Sequence, residues 1–241
     1  MLSSYWYDRA NLDRYCERGG DQSFWGEPLN ATSNGAFVLA GLVALYLIWR
    51  RPAGSHKAMP ALLALIVISI GIGSFLFHTY AQRWAIYADT VPIGIFMVTY
   101  LGYALRQFIG LNWIFVLAGM GGFFVALRYA KTIQCRPGLL GIAEHGLCMN
   151  GTMQYSPALV ALVLIGLILA AMRHPAWKYL LAASALFALS MTARTIDLET
   201  CDMLRIAGYR PGTHFLWHTF NGVMLLVLLI AAMRHGSRRS T

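Results

Sequence analysis

Charge is scarce in this chain. Asp, Glu, Lys and Arg make up 12 % of its 241 residues, against roughly 25 % in a soluble domain, too few to coat a globule. That shortage excludes an ordinary cytosolic enzyme, a disordered chain and a nucleic-acid binder of the usual kind. Lysine is rarest, present only as Lys57, Lys131 and Lys178. No C-x-x-C pair occurs among the four cysteines, so a zinc knuckle is not expected. Tandem repeats and low-complexity tracts are also missing. The segment Met1–Tyr15 is polar and aromatic and lacks the short apolar core of a signal peptide. The first apolar span is therefore expected to direct insertion itself. The net charge of +9 is no argument for nucleic acid, because inner membrane loops produce the same basic excess.

Apolar residues are abundant, at 58 %, and they come in long runs. A membrane-spanning helix needs about 20 mostly apolar residues. Seven runs qualify: Leu29–Trp49, Met59–Phe77, Ala88–Leu105, Leu111–Leu127, Tyr155–Met172, Ala176–Ala193 and Thr213–Met233. The fourth is short, and the sixth begins near Lys178, which can snorkel. Strands are not expected, because the runs are continuous rather than alternating. The expected fold is an all-α integral membrane protein, a seven-transmembrane helix bundle in one domain over residues 1–241, with an acidic N-terminal segment at 1–28.

The connections differ between the two sides. Arg50–Ala58, Arg106–Gly110 and Arg173–Pro175 are brief and basic, whereas Arg128–Gln154 and Arg194–Gly212 are longer and hold Pro-Gly turns. All ten acids fall on the N-terminal side, and the opposite side is purely basic, ending in Arg234, Arg238 and Arg239. The positive-inside rule weighs short basic loops and largely ignores acids. It places the C-terminus in the cytoplasm and the N-terminus outside, in periplasm or lumen. Cys16, Cys135, Cys148 and Cys201 all lie on that outer side, where disulfides persist. Two disulfides are favoured over four free thiols or a Cys-rich metal site.

Ionisable groups inside a span are costly and are functional candidates by default. His78 ends the second span, with Ser74 one helical turn earlier. Asp89 opens the third span, and His214 and His218 open the seventh. Three separate stretches thus bring polar residues to one layer near the outer face. The i, i+4 spacing puts His214 and His218 on one helix face, the spacing by which two imidazoles grip one metal ion. His78 as third ligand would complete a three-histidine zinc site with an open fourth position. The alternative is three hydrogen-bonded interfacial histidines. Asp89 is a candidate proton carrier, further ligand or ion-pair partner. Ser74 is a candidate oxyanion donor, or it bonds back to its own helix.

These residues resemble the alkaline ceramidases. Gly73-Ser74-Phe75-Leu76-Phe77-His78, followed by Asp89 and Pro92, is similar to that family's Ser-x-x-x-His…Asp pattern. His214-Phe215-Leu216-Trp217-His218 is similar to its closing His-x-x-x-His. Cys16-Glu17, then Glu27, Asn30, Ser33 and Asn34, resembles its N-terminal signature, and Arg194-Thr195-Ile196-Asp197…Cys201 resembles the segment before its last helix. The resemblance runs from about Asp13 to Gly222. It implies a seven-helix hydrolase that cleaves the amide of ceramide to a sphingoid base and a fatty acid, with a lipid substrate entering from the bilayer. It further implies zinc on His78, His214 and His218, catalytic roles for Ser74 and Asp89, and a Cys16–Cys201 disulfide, which leaves Cys135 with Cys148. The family's calcium motif, Asp-Trp-Cys-Glu-x-Asn, is altered here to Arg14-Tyr15-Cys16-Glu17-Arg18-Gly19. Glu17 and Glu27 remain, and Asp13 and Asp21 lie near enough to join them as calcium ligands. The alternative is a solvated acidic N-terminus.

The competing function is a seven-helix receptor or sensor with a structural zinc. A retinal protein is disfavoured because no lysine lies in the seventh span. A transporter is disfavoured because there is no inverted repeat and no ionisable residue at mid-bilayer. Gly94, Gly102, Gly119, Gly121 and Gly122 are read as close-packing positions rather than a lipid gate. No nucleic acid and no obligate protein partner is expected. The short chain points to a bacterial plasma membrane over a eukaryotic endomembrane.

Overall fold

The computed structural model describes residues 8, 15–52, 55–135 and 148–236. Among them the chain is helical, with an isolated β-bridge between Ile206 and Tyr209. The short α1 (Pro28–Ser33) leads into α2 (Gly35–Trp49). Next come α3 (Ala58–Tyr80) and α4 (Arg83–Tyr103), which continues as a π-helical turn over Ala104–Ile109. They are followed by α5 (Trp113–Ala130), a 3-10 turn (Cys148–Tyr155), α6 (Ser156–Ala171), α7 (Trp177–Thr195) and α8 (His214–His235). In lipid a backbone must satisfy its own N–H and C=O groups, which helices do and open strands do not.

Among the described residues six helical stretches are long and apolar enough to cross a membrane: Pro28–Trp49, Ala58–Tyr80, Arg83–Ile109, Trp113–Ala130, Cys148–Ala171 and His214–His235. They identify a multi-pass membrane protein. The sixth expected span also forms a helix, α7, at the expected place. It is less apolar than the others, carrying Lys178, Ser184, Ser190, Thr192 and Arg194. Ser184, Ser190 and Arg194 are buried, so these three face protein rather than lipid, while Lys178 and Thr192 are exposed.

Consecutive helices pack side by side, and α2 packs on α8, which closes the ring. Where lipid competes for apolar surface, close backbone approach and inward hydrogen bonds hold helices together. A Cβ on Gly73 of α3 would lie 1.9 Å from the Ala88 carbonyl oxygen of α4, and one on Gly222 of α8 would lie 2.8 Å from Cβ of Ala36 on α2. Only glycine permits either crossing. The hydroxyls of Tyr100 and Tyr103 donate to the Leu228 and Ala232 carbonyls (3.1 and 2.9 Å), and Ser190 donates to Trp217 O (3.1 Å), all three onto α8. Of the glycines expected to pack closely, Gly102 and Gly119 do so against Met120 and Leu105. A Cβ on Gly94, Gly121 or Gly122 would meet nothing within 4 Å.

Both disulfides join the expected pairs, Cys16–Cys201 and Cys135–Cys148. The first ties the N-terminal segment to the loop before α8, over the end of the bundle that holds the histidines.

Candidate metal centre

His78 comes from the last turn of α3, and His214 and His218 from the first two turns of α8. Each is 1 % exposed. Their ring centroids lie 4.6 to 5.1 Å apart. One ligand nitrogen from each lies within 4.8 Å of the others, the only such group among the described residues. The i, i+4 pair and the third histidine read from the sequence therefore meet.

The surroundings fix the tautomers. His78 Nδ1 lies 2.6 Å from Glu27 Oε2, so this nitrogen donates to the carboxylate and Nε2 carries the free lone pair. His218 Nδ1 lies 2.8 Å from Ser33 Oγ. The Ser33 hydroxyl itself donates to Asn30 O at 2.9 Å, so the serine accepts from the ring and His218 Nε2 is likewise left bare. Orienting partners of this kind are what metal-binding histidines use. His214 is stacked on Tyr15 at 3.9 Å between centroids. Three buried imidazoles, two with their outer nitrogen held, fit a borderline-soft ion such as zinc.

Glu27 is the hinge of this arrangement. Its other oxygen takes Arg18 Nε at 2.5 Å, and Asn30 Nδ2 donates to Oε2 at 3.0 Å. Burial alone would push its carboxyl up, but the hydrogen bond from His78 and the charge and hydrogen bond of Arg18 overcome that and hold it below the usual carboxylate range. The Arg18 guanidinium also donates to the carbonyls of Asp21 (2.9 Å), Ser23 (3.2 Å) and His78 (2.6 Å). A buried cation with a carboxylate and three carbonyl oxygens around it satisfies all of them at once.

The expected calcium ligands in the described residues have other partners. Glu17 caps α1, accepting from the Leu29 and Asn30 amides at 2.7 Å each and from the Tyr209 hydroxyl. Burial pushes its carboxyl up. Glu27 is engaged as above, and Asp21 accepts from Ser23 N and Oγ. Asp13 lies outside the described residues. The Arg18 side chain takes one oxygen of Glu27 and the Asp21 carbonyl, and nothing in the arrangement supports calcium.

The loop before α8 is built around Asp197. Its carboxylate accepts from the amides of Cys16 (2.9 Å), Thr213 (2.7 Å) and His214 (2.9 Å). It thus caps the start of α8, where the helix dipole favours an anion. Burial raises its carboxyl, against the lowering effect of those three bonds. Gly212 has φ +60°, and a Cβ there would lie 2.2 Å from Asp197 Oδ1, so glycine is required.

Ser74 is buried one turn before His78 on α3. Asp89 is half-buried at the start of α4, at the Gly73 crossing, where the Asp89 amide would be 3.1 Å from a Cβ on Gly73. The two candidates therefore sit where α3 and α4 touch. Asp89 and Asp197 both lie within electrostatic reach of Arg194, a buried guanidinium 5.1 Å over the Trp217 ring and 5.7 Å over each of Tyr15 and Tyr155.

Inward from the histidines lies an apolar cavity, walled almost entirely by aliphatic and aromatic side chains. Trp217 lines it, as does Phe37, whose ring is edge-on to His218 at 6.2 Å. The sequence reading missed Arg18 and Tyr15 as site residues and gave no role to Ser33, Asp197 or Asn221. Charge in an otherwise apolar chain was the available signal for Arg18 and Asp197, and the resemblance already touched Ser33 and Asp197; Tyr15 and Asn221 had no signal of their own.

A family model described as Ceramidase matches residues 14–241. No curated protein and no solved structure gives a significant match. The match covers nearly the whole chain, and the chain belongs to the ceramidase family.

Proposed function

We propose that this ceramidase-family chain is a zinc-dependent intramembrane amidase. It hydrolyses the amide of ceramide or a related N-acyl lipid to a sphingoid base and a fatty acid. The observation that carries the proposal is the buried triad of His78, His214 and His218, with Nε2 of His78 and His218 left bare, at one end of an apolar cavity. Such a site suits a lipid whose polar amide must reach a metal while its chains stay out of water.

Zinc held by the three histidines would supply Lewis acidity and make hydroxide available near neutral pH. The protein's part is positioning and proton transfer. Asp89 accepts the proton of the attacking water, whose oxygen adds to the amide carbonyl carbon. Ser74 Oγ–H donates to the carbonyl oxygen as negative charge develops there. Asp89 then delivers its proton to the nitrogen, which leaves as an amine. Without that proton the nitrogen would have to leave as an amide anion, a prohibitively poor leaving group. The carboxylic acid half keeps the water oxygen.

The site faces the outer side of the membrane in this proposal, with the C-terminus in the cytoplasm. Two disulfides in the same layer, and the short loops without acids on the opposite one, support that orientation.

The deciding experiment measures fatty acid released from a short-chain fluorescent ceramide by purified protein, with metal content determined on the same sample. Release that tracks bound zinc supports the proposal. No release from any N-acyl lipid by folded, zinc-loaded protein would overturn it in favour of a receptor with a structural metal.

A further inference from the structure

One polar side chain in the cavity wall has no role in the chemistry above. Asn221 lies on α8, three residues after His218 and seven after His214, so it shares their helix face. It stands about 4.5 Å further along the axis than His218. It is 5 % exposed, lines the cavity, and its side-chain oxygen has no hydrogen-bond partner. The rest of the wall is almost entirely hydrocarbon and aromatic ring. The Tyr100 hydroxyl, also in the wall, is already committed to Leu228 O.

A buried acceptor without a partner is disfavoured, and in an apolar wall only an occupant of the cavity can supply the missing donor. Resting on the amidase reading, we infer that Asn221 is a specificity-determining residue. It accepts a hydrogen bond from a hydroxyl borne on the alkyl chain that enters this cavity, within a few carbons of the reacting amide. A plain chain fills the same space and leaves Asn221 Oδ1 and its own site unsatisfied. A hydroxylated chain brings one polar hydrogen to an acceptor in the wall that otherwise has no partner. Sites built to bond a substrate hydroxyl discriminate strongly against analogues that lack it.

The hydroxyl has two possible sources, the acyl chain or the sphingoid chain, and the assay separates them. Two pairs of N-acyl lipids are compared: one with and without a 2-hydroxyl on the acyl chain, the other with and without the hydroxyl of the base nearest the amide. Wild-type protein should favour the hydroxylated member of one pair by about 10–100-fold in kcat/KM. Asn221→Leu removes the acceptor at similar volume. It should bring that ratio close to one, largely by improving the plain lipid, with zinc content unchanged. A structural role for Asn221 would lower both rates and leave the ratio intact.

Ratios near one in both pairs for wild type overturn the inference without any variant, as does a ratio that survives in Asn221→Leu. If none of the four lipids is hydrolysed by zinc-loaded protein, the amidase reading falls. The pocket is then judged by the rise in melting temperature each lipid produces. A larger rise with the hydroxylated member upholds the hydroxyl site, and equal rises overturn it.

Discussion

Helix α8 has a mean hydropathy of 1.9 over its most apolar window and helix α5 has 1.6, yet 56 % of that window is buried in α8 and 17 % in α5. In a soluble protein such similar apolarity would send both helices to the core. In a bilayer, lipid tails solvate apolar side chains as well as neighbouring helices do, so apolarity decides insertion and not position in the bundle. The polar residues separate the two. Helix α8 carries His214, His218 and Asn221 on one face and receives hydrogen bonds from Tyr100, Tyr103 and Ser190 on its carbonyls. Helix α5 presents Ile114, Leu117, Phe124 and Val125, each more than half exposed, and has no comparable set. Function follows the same division, because a metal site needs side chains that cannot face lipid.

The comparison is tested first where the expected effect is largest. His218→Ala removes one of three nitrogen donors. The metal should fall from about one per chain to near zero by elemental analysis, and amide hydrolysis should fall to background. His78→Ala and His214→Ala should behave alike. Full occupancy in all three variants would show that the cluster is a hydrogen-bonded core with no metal role.

Next in size is the proton carrier on α4. Asp89→Asn keeps the three donors and should retain zinc, while turnover drops by about 10²–10⁴. Ser74→Ala should retain zinc as well and lose about 10²–10³. Turnover that survives in zinc-loaded Asp89→Asn would make that carboxylate structural. Smaller again is the support behind the ligands. Ser33→Ala removes the acceptor that orients His218 and should weaken zinc by roughly 10–100-fold in chelator competition, with little change in turnover at saturating metal. An unchanged affinity would mean that packing alone sets the ring.

Much of this arrangement was legible in the sequence, for a physical reason. Costly residues in spans are few, so His78, Asp89, His214 and His218 stood out singly, and the i, i+4 spacing already placed two of them on one face. The helices fell within a few residues of the apolar runs. The polar layer around the site was not legible. Glu27 read as a cation ligand because the resemblance implied a calcium site there and its true partners are not visible in one dimension. In the fold it pairs with Arg18 and orients His78. Asp197 read as one more outer acid, whereas it caps α8 across a 17-residue separation from His214. Contacts at such distances leave no periodic trace. For the same reason, α7 looked like an ordinary span until its serines and Arg194 proved to face inward.

The smallest expected effect isolates what packing contributes once lipid has removed the usual hydrophobic advantage. Leu229 on α8 is 0 % exposed, while Leu117 on α5 is 63 % exposed. The substitution Leu→Ala deletes the same atoms at both positions. In a soluble core it would cost about 2–5 kcal/mol, part transfer from water and part cavity. Inside a bilayer the transfer part largely vanishes, because the deleted atoms would be equally content in lipid. The lost contacts around a buried void remain. Leu229→Ala should therefore cost about 1–3 kcal/mol, read as a clear fall in melting temperature in lipid nanodiscs. Leu117→Ala leaves a gap that lipid fills and should stay within about 0.5 kcal/mol of wild type. Equal shifts at the two sites would mean that α5 is covered by protein in the membrane, and that its apparent lipid face is an interface with another chain.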